Sequence, residues 1–130
     1  MAQEACLKAG GRVVSIVADS LASHRERNNV LYVSEDDFDA EFSAQRALSR
    51  NRCIHALGRR VFVAQSSLGT GGTWDGTVKN LRFGWSSVAC FRDGSEASVQ
   101  LEQMGAYLVG PVDLADFGCL PESEENLFTR

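Results

Sequence analysis

A segment rich in glycine and threonine is the strongest candidate for a ligand site. It reads Ser-Ser-Leu-Gly-Thr-Gly-Gly-Thr-Trp over residues 66–74 and leads from a predicted strand into a predicted helix. A helix N-terminus presents free N–H groups to anions, glycine lets the backbone approach a phosphate, and threonine hydroxyls can donate to it. No Lys-Ser or Lys-Thr follows the last glycine, so this is not a P-loop, and it does not match GxGxxG. The segment predicts either phosphate binding or a plain tight connection, and the residues concerned are Gly69, Thr70, Gly71, Gly72 and Thr73.

A run of arginines is the second candidate. No acidic residue lies between positions 42 and 60, and the bases there are Arg46, Arg50, Arg52, Arg59 and Arg60. Arg46 and Arg50 are four residues apart, so on a helix they share a face and could meet adjacent phosphates, whereas Arg52 points elsewhere. Asn51 interrupts an apolar stripe, and a buried amide needs a partner. The residues of this stripe are Ala44, Ala47, Leu48 and Ile54. The alternative is a solvated helix face that pairs with the acidic loop at 35–41.

The remaining polar residues are weaker candidates for a functional site. His24 and His55 have no cysteine or carboxylate at ligand spacing, so neither a metal site nor a cofactor is predicted. No GxSxG elbow for a hydrolase is present. Asp75 is either a carboxylate that the helix dipole favours or a general base. Trp74 and Trp85 could stack on bases, although Trp85 stands beside a strand start and fits a core position.

Charge and composition narrow the class of protein. The 130 residues carry 13 Lys+Arg against 17 Asp+Glu, a formal charge of -4, so nucleic acid would need a local positive patch. No run approaches the ~18 apolar residues of a membrane span, and the N-terminus does not resemble a secretory signal. The four cysteines, at 6, 53, 90 and 119, have no metal-ligand spacing, and Cys90 lies in an apolar run typical of a buried thiol. We therefore expect a reduced, cytoplasmic protein.

Five short apolar runs and the stretches between them predict the fold class. The runs are continuous rather than alternating, as in strands covered on both faces, and they span 13–18, 30–33, 61–64, 88–91 and 106–109. Helical patterning covers 3–8, 43–57, 75–83 and 95–104, whereas the link at 19–29 has room for little more than one helical turn. This alternation predicts an α/β, three-layer Rossmann-like sandwich with a mostly parallel sheet of about five strands.

The two ends of the chain differ from this pattern. Residues 111–130 carry five acids and one base, so we expect a domain over 1–110 and an acidic C-terminal tail over 111–130. The chain opens on a helix, whereas α/β domains more often open on a strand. It is therefore interpreted as the later part of a larger domain.

Several of these motifs together resemble the DNA-processing protein A (DprA/Smf) family. The resemblance rests on Ala-Gly-Gly-Arg-Val-Val at 9–14, Phe42, Arg-Asn-Arg-Cys-Ile at 50–54, Ala-Leu at 56–57, the segment 68–74 and the stretch 101–106. It covers roughly residues 5 to 109. The Arg-Asn-Arg-x-Ile block is the most specific part, and the Gly-Gly-Thr-Trp version of the loop indicates a divergent paralogue.

The resemblance implies a Rossmann-like domain of the superfamily shared with the LOG phosphoribohydrolases. It implies binding of single-stranded DNA or nucleotide phosphates in recombination or DNA uptake, a RecA-type recombinase as partner, and a homodimer. The family's earlier strand and its Gly-Ser-Arg loop have no counterpart in this sequence. Gly76 occupies the position of the LOG catalytic glutamate, so a non-catalytic binding module is the first hypothesis and a LOG-like nucleotide enzyme is the alternative.

The resemblance also bears on self-association. A parallel sheet without its opening strand would expose main-chain N–H and C=O groups along an apolar edge. We expect either a second copy of the chain or the apolar part of the tail, 114–120, to cover that edge.

Overall fold

The computed structural model describes residues 2–35 and 37–115. The chain divides into two compact units, Met1–Arg50 and Asn51–Arg130, and each is described by itself. Within the described residues, no helix is both long and apolar enough to cross a membrane.

The first unit is built on two parallel strands. Helix α1 (Ala2–Lys8) ends in a turn at Gly10, whose φ of 82° suits glycine, and leads into strand β1 (Val13–Val17). A single turn of 3₁₀ helix (Leu21–Ser23) precedes strand β2 (Val30–Ser34), which pairs with β1 from Val13↔Val30 to Val17↔Ser34. The link between the strands therefore contains the single helical turn that its length and polarity predict.

The second unit alternates strand and helix. Its strands are β3 (Arg60–Val63), β4 (Ser87–Phe91) and β5 (Tyr107–Val109), which form a parallel sheet in the order β3-β4-β5. Its helices are α3 (Gly71–Phe83), α4 (Glu96–Gln103) and α5 (Pro111–Leu114). Helix α2 (Ala44–Leu57) contains the boundary between the units, which falls after Arg50.

The core of the second unit forms between this sheet and its helices. Its buried residues are Val63, Val88, Cys90, Leu101 and Ala106, and the half-buried Trp74, Val78 and Leu81 of α3 pack against them. Cys90 is 2% exposed, as its apolar run predicts. Burial raises the pKa of its thiol to about 11. Cys90 is therefore a packing residue and a poor nucleophile.

The α/β, Rossmann-like class and the parallel strands are confirmed. The strands form two sheets, one of two strands and one of three. Helix α3 begins at Gly71, four residues before the predicted start at Asp75, because the apolar pattern cannot detect a first turn made of glycine and threonine. In α2 the predicted buried stripe is partly wrong, since Ile54 is 43% exposed and the buried residue is His55. Most of the acidic tail, residues 116–130, lies outside the described residues, and so does most of the proposed edge cover at 114–120.

Candidate functional site

The glycine-rich loop leaves the carboxyl end of β3 and opens α3. Gly69 and Gly71 both have positive φ, 74° and 89°, and Thr70 between them is extended. Only glycine adopts such φ values without strain, so these two positions explain why the loop needs this residue type. Gly72 does not have a positive φ, so of these two neighbouring glycines Gly71 is the one whose backbone requires this residue type.

The N-terminus of α3 has no cap from its own side chains. Thr70 makes no side-chain capping hydrogen bond, and the first turn contains no acidic residue. Helix α4 of the same unit differs, because the Ser95 hydroxyl accepts a hydrogen bond from the Ser98 N–H and Glu96 lies in its first turn. The first N–H groups of α3 are therefore available to an anion, which the helix dipole also favours.

An open recess of about 230 Å³ lies at this helix end. Four of its seven lining residues carry a hydroxyl group, and the lining residues are Gln65, Ser66, Ser67, Thr70, Gly71, Gly72 and Thr73. A β-carbon added at Gly71 would meet no atom within 4 Å, so the space over this glycine is empty. We call this space the loop recess. Its size and its donors suit a phosphate group.

Arg52 brings positive charge to the first turns of α3. Its Nη2 lies 3.5 Å from Asp75 Oδ2, and the Lys79 ammonium lies 3.0 Å from Asp75 Oδ1. The hydrogen bond from Lys79, aided by the charge of Arg52, lowers the pKa of Asp75. Asp75 is therefore a weaker base than an ordinary carboxylate, which disfavours a general-base role.

Arg52 also has an unused donor. Its Nε is buried and has no hydrogen-bond partner within residues 2–35 and 37–115. A buried donor without a partner is costly, and this one belongs to the arginine that faces Asp75 in the second turn of α3.

The other two predicted arginines belong to the first unit. Arg46 Nε donates to the carbonyl oxygen of Ala18 at 3.0 Å, and the Ser43 hydroxyl accepts from the Arg46 N–H. Arg46 and Arg50 are both half-buried. The hydrogen bond to Ala18 gives Arg46 a structural role at the end of β1.

A buried polar network lies under α3. Asn80 is completely buried; its Oδ1 accepts from the Ser86 N–H at 2.9 Å, and its Nδ2 donates to the Ser86 hydroxyl at 2.8 Å. Asn80 Nδ2 also lies 2.9 Å from His55 Nδ1, and the Ser86 hydroxyl donates to the His55 carbonyl oxygen. The network joins α2, α3 and the start of β4 within the second unit.

This network determines the tautomer of His55. Since Asn80 Oδ1 accepts from a backbone N–H, the amide orientation is settled and Nδ2 is the donor toward His55 Nδ1. His55 Nδ1 is thus an acceptor, and the neutral ring has its hydrogen on Nε2. Burial favours this state, because it lowers the pKa of the imidazole.

A second recess, of about 380 Å³, adjoins the loop recess. Apolar side chains supply most of its wall, and the lining residues are Asn51, Ile54, His55, Val61, Phe62, Val63, Ala64, Gln65 and Thr73. We call this space the histidine recess. Gln65 and Thr73 line both recesses, so the two are neighbours in the second unit.

His55 should make folding stability depend on pH. The unfolded chain binds a proton at the ordinary histidine pKa of about 6.5, whereas the folded chain does so only at lower pH. Between these two pKa values the unfolded state binds more protons than the folded state. The free energy of unfolding therefore falls as the pH drops below about 6.5, by at most about 1.4 kcal/mol per pH unit. Urea unfolding at pH 7.5 and 5.5 measures this loss. Between pH 7.5 and pH 5.5, the free energy of unfolding should fall less in His55→Leu than in the wild type. Equal losses in the two proteins would contradict the assignment of this pH dependence to His55.

The predicted site residues fall in both units. Asn51, Arg52 and Gly69–Thr73 lie in the second unit, while Arg46 and Arg50 lie in the first. Trp74 packs against the core. Sequence reasoning missed the roles of His55 and Asn80, because their pairing across 25 positions leaves no local signal. No cluster of three or more His, Cys, Asp or Glu side chains that could hold a metal occurs in the described part of the chain.

Comparison with known proteins gives a match among solved structures. No family model and no curated protein matches the chain. Among solved structures, the chain is similar to DNA processing protein A (DprA) from Streptococcus pneumoniae, with a TM-score of 0.70 and 25% identity over 88% of this chain. The match covers 46% of the streptococcal chain, so this chain spans less than half of that protein's length. The comparison confirms the resemblance that the sequence motifs indicate: the chain is DprA-like, which supports a place among the DNA-processing proteins of that family.

Proposed function

We propose that this chain is a DprA-like DNA-processing protein that binds single-stranded DNA or nucleotide phosphates without catalysing their cleavage, in recombination or DNA uptake. The uncapped N-terminus of α3, facing a recess lined with hydroxyl groups, carries this proposal. Backbone N–H groups at Gly71, Gly72 and Thr73 would hold one phosphate there, with Thr70 and Thr73 donating from their hydroxyls.

Charge next to the loop supports the same proposal. The guanidinium of Arg52, whose side chain is 41% exposed, would supply the counter-charge to a phosphate. Asn51 belongs to the same unit and lines the neighbouring recess. Arg46 and Arg50 remain phosphate contacts proposed from the sequence alone, and Arg46 already donates to Ala18.

The absence of catalysis is proposed from two positions. The residue at 76 is a glycine, so the α3 position that the LOG resemblance associates with a catalytic glutamate has no side chain here. The neighbouring carboxylate, Asp75, has a lowered pKa because it accepts a hydrogen bond from Lys79 and faces Arg52. Release of ribose phosphate from a nucleoside monophosphate would contradict this part of the proposal and favour the LOG-like alternative.

The expected partners follow from the resemblance. We propose single-stranded DNA or a nucleotide as the ligand, a RecA-type recombinase as a protein partner, a homodimer as the assembly and the cytoplasm as the location. The streptococcal neighbour is described as a DNA processing protein, which supports a DNA-related partner.

Removal of the Arg52 charge is the most direct test. If Arg52 neutralises a phosphate, Arg52→Ala should weaken binding to a labelled oligothymidine strand at every salt concentration. It should also reduce the slope of log K against log[salt] by about one. Fluorescence anisotropy at four or more salt concentrations measures both effects.

Arg82→Ala is the matched control for this variant. It removes the same charge from the exposed C-terminal turn of α3, where the guanidinium lies over the Phe83 ring, 5.6 Å from its centroid. Its salt slope should equal that of the wild type. Equal slopes for the two variants would show that Arg52 does not contact phosphate.

A further inference from the structure

The histidine recess presents an apolar surface that residues 2–35 and 37–115 leave open to solvent. Ile54 and Phe62 line it and are 43% and 38% exposed, and the apolar wall is completed by Val61, Val63 and Ala64. Its volume of about 380 Å³ is in the range of pockets that enclose several apolar groups. Apolar surface gathered around such a recess marks a place where another group docks.

The recess also contains one hydrogen-bond donor. Asn80 occupies Nδ1 of His55, and the Nε2–H of the same ring has no hydrogen-bond partner among residues 2–35 and 37–115. A main-chain carbonyl oxygen is a suitable acceptor for this group. A peptide segment would therefore supply both the apolar side chains and the acceptor that suit the recess.

Positive charge flanks the recess. Arg60 opens β3 and Arg59 precedes it, directly before the lining residues of that strand. Next to the recess on the α3 side, Arg52 and Lys79 share one carboxylate, that of Asp75, so this group keeps a net positive charge. A segment that combines apolar side chains with acidic ones is complementary to the recess and its surroundings.

The part of the acidic tail that lies outside the described residues, 116–130, has this composition. Its one base is Arg130, and its four acids are Asp116, Glu122, Glu124 and Glu125. Two large apolar residues, Leu127 and Phe128, follow the glutamates almost directly. The order of acids and then apolar residues matches basic residues beside an apolar recess.

The path of the chain determines which tail residues can reach the recess. The described part of the tail ends at Ala115, after α5, which packs beside β5. The order β3-β4-β5 places β3 two strands from β5, about 10 Å away. Phe117 extends at most about 7 Å beyond Ala115, whereas Phe128 extends up to about 45 Å. Phe128 can therefore reach the recess, and Phe117 falls short of it.

We propose that residues 122–130 dock on the second unit of their own chain, with Leu127 and Phe128 in the histidine recess and the glutamates beside the basic residues around it. His55 Nε2–H donates to a main-chain carbonyl oxygen of the docked segment. The short tether keeps the segment at a local concentration on the order of millimolar, so its own chain is the favoured site over a second copy. This inference goes beyond the proposed function and does not depend on it, because it uses neither nucleic acid nor the loop recess.

Isoleucine methyl groups provide the test, because the chain contains two isoleucines, Ile16 and Ile54. In the full chain with ¹³C-labelled isoleucine methyl groups, the Ile54 methyl should show a nuclear Overhauser effect to the ring protons of Phe128. Phe128→Ala should remove this effect and shift the Ile54 resonance. Ile16 is buried in the first unit, so its resonance should not move and reports that the variant remains folded.

Phe117→Ala is the matched control. It removes the same side chain from the same tail at a position that falls short of the recess, so the Ile54 resonance should stay at its wild-type position. A triple change of Glu122, Glu124 and Glu125 to Gln tests the charge contribution. It should move the Ile54 resonance part of the way toward its position in Phe128→Ala, because the apolar contact remains when the attraction to the arginines is lost.

Three results would overturn the proposal. The first is an Ile54 resonance that Phe128→Ala leaves unchanged. The second is an equal shift in Phe117→Ala, which would remove the assignment to Leu127 and Phe128. The third is a contact that appears only as the protein concentration rises from about 20 µM to about 500 µM, since the segment would then dock on a second copy of the chain.

Discussion

Asn80→Leu should lower the free energy of unfolding by about 3–5 kcal/mol, because it leaves several buried polar groups without partners. Asn80 is completely buried, and its amide makes hydrogen bonds with the Ser86 N–H, the Ser86 hydroxyl and His55 Nδ1. Leucine has a similar size, so most of the loss comes from unpaired polar atoms and little from a cavity. Urea unfolding followed by circular dichroism measures the change.

Thr77→Val provides the matched comparison for this effect. Thr77 is in the same helix and is equally buried, and its hydroxyl donates only to the Thr73 carbonyl oxygen at 2.7 Å. Loss of that single bond should cost about 1 kcal/mol. If Asn80→Leu lowers the free energy of unfolding no more than Thr77→Val does, the network with His55 and Ser86 contributes little to stability.

Gly71→Ala should reduce oligonucleotide and nucleotide binding at least tenfold while costing only about 1–2 kcal/mol of stability. Gly71 has a φ of 89°, so alanine would strain the turn that aims the first N–H groups of α3. The new methyl group would also enter the space over the loop, where no atom lies within 4 Å of it. Binding by anisotropy and unfolding in urea separate the two effects.

Gly84→Ala is the control at the other end of the same helix. Gly84 caps α3 with a φ of 69°, and a β-carbon there would likewise meet no atom within 4 Å. The two variants should lose similar stability, but Gly84→Ala should bind ligand normally. If both lose binding equally, the effect comes from destabilising α3 and the loop recess is not the ligand site.

Local patterning was sufficient to predict the five strands and the first four helices of this chain, whereas α5 (Pro111–Leu114) falls within the segment predicted as a tail. Continuous apolar runs such as 88–91 are typical of strands covered on both faces, and the strand found there is β4 (Ser87–Phe91). The start of α3 was harder to predict, because glycine and threonine have low helix propensity and only the tertiary structure stabilises a first turn at Gly71.

Part of the candidate site could also be read from the sequence. The loop at 69–73 was identified from its glycines, and their positive φ at Gly69 and Gly71 gives the physical reason for that composition. The spacing predicted that Arg46 and Arg50 share a helix face and that Arg52 points elsewhere. It could not reveal that Arg46 donates to Ala18 or that Arg52 faces Asp75. Those partners are 28 and 23 residues away along the chain.

The sequence by itself determined the class of fold, the order of its strands and helices, and the loop where an anion can meet a helix N-terminus, since each depends on residues that are neighbours along the chain. Only the tertiary structure decided the chemistry next to that loop. His55 had no ligand spacing and Asn80 no motif, yet the fold places them 2.9 Å apart and determines which histidine nitrogen is the donor. A hydrogen bond between residues 25 positions apart depends on tertiary packing, and such packing produces no periodic pattern in the sequence.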